Sequence, residues 1–246
     1  MLLPIEPQYN ALKATKKWAN IFEAAAHGDR AGVNYHALKG QDVLRNNAGQ
    51  MAIQVAAFYD HEHIVRYFFS RDPKFLNAED AEHNRLIHTA VQGNATKVVR
   101  YLAQSYPDEL RHGNSKGDIS IHVAARYGHS ILVKDLINRY RVPPNVINDY
   151  GETPIHLAAR GGYLTTLKVF LESDQTLLNA VDSKIYNTVH CAVTTGKLDV
   201  VKYLCNTGET NANVANIEGM YPIHIASSDG FLDIIRILVE KCGANP

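Results

Sequence analysis

The amino-acid sequence predicts an all-α repeat solenoid of about six to seven helix-turn-helix units. Three observations point there. Histidines stand at positions 88, 122, 156, 190 and 224, each 34 residues after the one before, and Gln54 takes the same place one period upstream. The segment from Asn148 to Leu171 reads as two short amphipathic helices joined at a glycine pair. The same double pattern returns in register over residues 18 to 246. Self-similarity at such a period marks a stack in which each unit packs on its neighbours.

The central unit shows why each position is filled as it is. Thr153 is a good helix N-cap, and Pro154 suits the first helical position, where no backbone donor is needed. Ile155, Ala158 and Ala159 fall on one apolar face whose small residues permit close packing. Gly162 ends the helix, where a left-handed residue costs least when it is Gly or Asn. Leu164, Leu167, Phe170 and Leu171 form the apolar stripe of a second helix.

In chain order, residues 1–45 read as an N-terminal segment and a capping repeat. Leu2, Leu3, Pro4 and Ile5 are expected to pack on the first repeat, and a helix over 11–25 puts Trp18, Ile21 and Phe22 on one side. Residues 46–246 read as six repeats in one continuous domain. Asp60 and Asn94 stand where Gly would end the first helix. The Thr-Pro start is replaced by Arg85-Leu86, Ile119-Ser120, Asn187-Thr188 and Tyr221-Pro222. These changes weaken local helix starts and leave the register intact. The connections SRDPKFLNAED, SYPDELRHGN and ESDQTLLNAVD read as slightly long loops, where an extra residue costs little. At the far end Ile234, Ile235, Ile237 and Leu238 are apolar with no evident polar substitution to cap the stack. The expectation is a fragment of a longer protein, or an additional domain or second copy covering this end.

The stretch GETPIHLAARGG closely resembles the ankyrin repeat signature G-x-T-P-L-H-x-A-A-x-x-G. The resemblance implies L-shaped repeats, each a β-hairpin finger followed by two antiparallel helices. Fingers and first helices then line a concave surface that binds other proteins. Carried over by register, the partner-binding positions on the fingers are Lys116, Asp118, Tyr150, Glu152, Lys184, Tyr186, Glu218 and Met220. Those at the ends of first helices are Phe58, Tyr59, Arg126, Tyr127 and Arg160. Several are large where the framework does not need them, and interface hot spots are enriched in Tyr and Arg.

Lys+Arg and Asp+Glu both number 25, so net charge is zero with neutral histidine. That removes the basic footprint expected of a nucleic-acid binder and of an anchor on anionic lipid. No apolar run approaches the roughly 20 residues needed to span a bilayer. Cys191, Cys205 and Cys242 are an odd, sparse set that fits a reducing compartment better than a disulfide framework. The chain reads as intracellular and cytoplasmic, or as acting in a host cytoplasm if it is a secreted effector.

Twelve histidines raise the question of a metal. The motif histidines lie on successive helices about 8–10 Å apart, whereas zinc needs its ligand atoms at about 2 Å; each imidazole is expected instead to tie one repeat to the next. His61 and His63 in HEHIV point in different directions on a helix. Cys191 follows His190 directly and stands where Leu157 and Ile225 stand in other repeats, a packing position. No phosphate loop, dinucleotide fingerprint or nucleophile elbow occurs. The expectation is a non-catalytic scaffold, with no catalytic residue, metal or cofactor, that binds a partner protein or peptide. The alternative is a targeting module of a larger enzyme, channel or secreted bacterial effector.

Overall fold

The computed structural model describes residues 17–207 and 210–244. The expectations for residues 2–5 and 11–16 lie outside them. Among the described residues fourteen α-helices follow one another in pairs, in two units that divide after Leu110.

The first unit holds α1 (Ile21–Ala26), α2 (Arg30–Ala37), α3 (Ala52–Phe58), α4 (Glu62–Arg71), α5 (Leu86–Gln92) and α6 (Thr96–Ser105). The second holds α7 (Ser120–Arg126), α8 (Ser130–Asn138), α9 (Pro154–Gly161), α10 (Leu164–Ser173), α11 (Thr188–Thr194), α12 (Leu198–Asn206), α13 (Pro222–Ser228) and α14 (Leu232–Cys242). Within each unit, first helices pack in a row (α1, α3, α5; then α7, α9, α11, α13) and second helices form another behind them. Small residues let the first helices approach: Ala56, Ala57, Ala124, Ala158 and Ala159 are fully buried. Phe68, Leu102, Leu136 and Phe170 fill the space between the rows.

The joint between paired helices behaves as the glycine position requires. Gly128, Gly162 and Gly196 have positive φ, and so do Asp60 and Asn94 where Gly is replaced. Asp60 adds a function of its own, since its Oδ1 accepts the amides of Lys97 and Val98 and caps α6 of the following pair. The expected helix over 11–25 is corrected within the described residues. It begins only at Ile21, because the Asn20 side chain accepts the Glu23 amide and caps it there.

Two further corrections concern the connections and the cysteines. The three long connections are not plain loops. Each holds a turn of 3₁₀ helix, Pro73–Asn77, Pro107–Arg111 and Gln175–Asn179, and these bury Phe75, Leu110 and Leu177 respectively. Cys205 and Cys242 form a disulfide with Cα atoms 4.9 Å apart. Their separation of 37 residues is one period plus about one helical turn, which puts them on facing sides of neighbouring second helices, α12 and α14. Cys191 alone is a free, buried thiol.

At the far end, Ser227 is exposed and occupies the register position held by Ala57, Ala125 and Ala159.

Candidate partner-binding surface

The loops preceding the six first helices α3, α5, α7, α9, α11 and α13 are each built by one side chain. Asn46, Asp80, Asn114, Asn148, Asp182 and Asn216 each accept two backbone amides, two and four residues on. This is the Asx-turn habit of Asn and Asp. Antiparallel bridges close three of the loops, Arg45 with Met51, Glu79 with Arg85, and Val181 with Asn187. Neighbouring loops are joined by backbone bonds, from Ser183 N–H to Tyr150 O at 3.1 Å and from Ile217 N–H to Lys184 O at 3.1 Å. The role of this Asn/Asp was not recognised in the sequence, although its recurrence at six equivalent positions carried the signal.

The motif side chain then fixes each loop to its own helix and to the next loop. His156 Nδ1 accepts the Thr153 amide at 3.0 Å. A backbone N–H can only donate, so the ring proton sits on Nε2, which donates to Ala180 O at 2.9 Å. His122 reaches Glu152 O and His190 reaches Met220 O in the same way. Gln54 does both tasks with an amide: Oε1 accepts from Met51 N–H and Nε2 donates to Asn84 O. The expected stitching role is what these bonds perform. Burial holds His122, His156 and His190 below the ordinary imidazole range, which keeps them neutral.

On the second unit, four of the charged candidates are occupied with one another. Asp118 and Glu152 are only 1% and 7% exposed. Arg126 pairs with Asp118, Arg160 pairs with Glu152, and the Asn148 amide bridges both carboxylates at 2.8 and 3.1 Å. Burial alone would raise the Glu152 carboxyl, but the Arg160 guanidinium outweighs it and holds the group below the usual range. Arg160 also lies 3.6 Å from Cys191 Sγ. Burial pushes the Cys191 thiol up to about 12, Arg160 notwithstanding, so it remains protonated. The sequence held a signal for these pairs. Acid and arginine occur together, eight residues apart, in two successive repeats, and the same two positions in the other repeats hold neither (Gln50 and Phe58, Tyr186 and Thr194).

The remaining candidates separate into half-buried and exposed residues. Tyr186 is half-buried with its ring centroid 5.3 Å from that of His190 on its own repeat. Lys116 and Met220 are half-buried, and Lys184 and Glu218 are exposed. Tyr127 and Tyr150 are 42% and 57% exposed, and the Tyr127 ring stacks on His129. On the first unit Tyr59 is 54% exposed and meets Phe58 edge to face at 5.1 Å. Both line a groove of about 390 Å³ floored by α1 and α3 and walled by the loop holding Asn46 and Gln50.

Within each unit, two rows of paired helices with turn-built loops between successive pairs define a helical repeat protein. A family model for ankyrin repeats in three copies matches residues 21–111, 105–182, 121–214 and 175–246. The chain belongs to the ankyrin repeat family. No curated protein matches it. Ankyrin repeats are generally protein–protein interaction modules, and the fold is typically a non-catalytic scaffold. Among the described residues, no helix is long and apolar enough to cross a membrane.

Proposed function

We infer that this chain is a protein-interaction scaffold, binding a partner protein or peptide on the side formed by its loops and first-helix ends. The observation that supports the reading is a contrast on the second unit, where Asp118 and Glu152 are bonded to Arg126 and Arg160 while Tyr127 and Tyr150 stay exposed; on the first unit Tyr59 is exposed as well. Tyrosine is enriched among interface hot spots, and a rigid framework limits the ordering cost of binding. The binding positions on this reading are Phe58 and Tyr59 on the first unit and Tyr127, Tyr150, Lys184, Glu218 and Met220 on the second, with the half-buried Lys116 and Tyr186; Asp118, Glu152, Arg126 and Arg160 act as support.

The test compares baits in a quantitative pull-down. The triple variant Tyr59→Ala, Tyr127→Ala, Tyr150→Ala is expected to lose at least about tenfold of a captured partner, since hot-spot aromatics are worth about 2 kcal/mol or more. A control bait, Lys168→Ala with Ile131→Ala on the second helices, is expected to retain it. A partner kept by the triple variant and lost by the control would move the function to the other side.

A further inference from the structure

We propose that the groove on the first unit receives an arginine side chain from an extended peptide segment. The inference rests on the scaffold reading above and specifies the partner's chemistry at one site. Three aromatic rings, Phe22, Phe58 and Tyr59, line the groove together with one carboxylate, Glu23. Among the described lining residues Glu23 is the only charged one; the rest are apolar or carry amides, such as Gln50. The carboxylate accepts the Ala19 amide at 3.0 Å and lies 3.5 Å from the Asn20 amide group. Both donors are neutral, and among the described residues no cation pairs with it. A carboxylate offers about four lone-pair sites, so these two donors leave acceptor capacity on a side chain that lines the groove.

Aromatic faces attract cations through their quadrupole, and a carboxylate adds a full opposite charge. A guanidinium satisfies both at once, because it is planar enough to stack on a ring and forked enough to meet two oxygens. The volume of about 390 Å³ lies within the range of sites that enclose small ligands, leaving room for an apolar neighbour against Phe58 and Val55. An anionic or neutral polar side chain finds no complementary charge there.

The test uses the intact chain and three capped tripeptides, Leu-Arg-Leu, Leu-citrulline-Leu and Leu-Glu-Leu, titrated by two-dimensional NMR. Citrulline keeps the shape of arginine and removes its charge. The arginine probe is expected to bind at least about fivefold more tightly than the citrulline probe, in line with an exposed cation–π contact plus one ion pair. Shifts should centre on Glu23, Phe58 and Tyr59. In Glu23→Gln, which still accepts the Ala19 amide, the preference should fall below about twofold. Tyr59→Leu, an exposed position tolerant of change, should weaken the arginine probe more than the citrulline probe. Equal binding of the two probes, a preference surviving Glu23→Gln, or no binding by any probe would overturn the proposal. A further pull-down bait carrying only Tyr127→Ala and Tyr150→Ala, both outside the groove, is expected to lose the partner whatever the probes show, so the two readings fail separately.

Discussion

At the residue scale, the register makes each repeat a control for the others. Gly49, Gly117, Gly151 and Gly219 hold positive φ at one loop position, and Ile185 takes that place at φ 61° while 42% exposed. A left-handed L-residue costs about 1–2 kcal/mol, more for a β-branched one, while glycine costs about 0.5–1 kcal/mol in chain entropy. Ile185→Gly is therefore expected to raise stability by about 0.5–1 kcal/mol, read as a higher urea midpoint at unchanged slope; a lower midpoint would mean the side chain's packing outweighs the strain. Asp60→Gly has the same backbone logic but forfeits the two amide caps on α6, so no gain is expected there. The glycine-position readings of Asp60 and Asn94 were legible because a helix joint is a strong local signal. Ile185 was not, because the turn that demands left-handed backbone is made by Asp182 three residues earlier, and propensity at a single residue does not reveal it.

At the same scale, Arg160 shows how binding and support can be confused. It was legible as an arginine on the partner side, but its counter-ion Glu152 is buried. Removing one partner of such a pair leaves a charge with too few hydrogen bonds. Arg160 is half-buried and Asn148 still reaches Glu152, so Arg160→Ala is expected to cost about 1–3 kcal/mol in urea unfolding. The double variant with Glu152→Gln should recover part of it. Lost partner binding in Arg160→Ala alone would then report instability, and an unchanged urea midpoint would refute the supporting role.

At the scale of elements, the motif side chains join one helix start to the next loop, and their period is what made the fold readable. His156→Ala strands the Thr153 amide and the Ala180 carbonyl, a loss of about 2–6 kcal/mol at about 1–3 kcal/mol per unsatisfied buried group. His156→Gln should cost about 1 kcal/mol or less, because Gln54 already makes both bonds in its own repeat. Calorimetry on the two variants separates a hydrogen-bonding role from mere packing, since packing alone would not favour glutamine so strongly. The ladder also sets a pH dependence. Burial lowers the folded-state values of His122, His156 and His190, so the unfolded chain binds protons more readily. Their contribution is fully present above about pH 6.5 and is lost as pH falls through that value toward the folded-state ones. Urea midpoints should drop between pH 7.5 and 5.5, and His156→Gln should reduce the slope. The connections were less legible because Phe75, Leu110 and Leu177 become plugs only once two rows of helices exist to be plugged.

For the molecule as a whole, each pair depends on its neighbours, and the last pair depends on something more. Ile235 is half-buried and Val239 is 39% exposed, whereas Val201 and Cys205, one period earlier, are buried. The α13–α14 pair thus buries less apolar surface than the pair before it, and the Cys205–Cys242 bond holds α14 to α12. Closing a loop of 37 residues restricts the unfolded chain by up to about 4 kcal/mol in the entropic account. The cysteine count did not disclose this bond, because an odd number argues against pairing unless one thiol is set aside in the core, as Cys191 is. Alkylation followed by mass measurement checks the whole arrangement. The native oxidised chain should take no iodoacetamide, since Cys191 is buried and its thiol is pushed to about 12. Mild reduction should expose two sites, and denaturation with reductant should expose the third. After reduction, amides of α14 should exchange with solvent well before those of α9, because unfolding in a stack starts where neighbours hold least. Two sites labelled without reductant would mean that Cys205 and Cys242 are free, and the stability of the last pair would then have to come from packing on α11 and α12 alone.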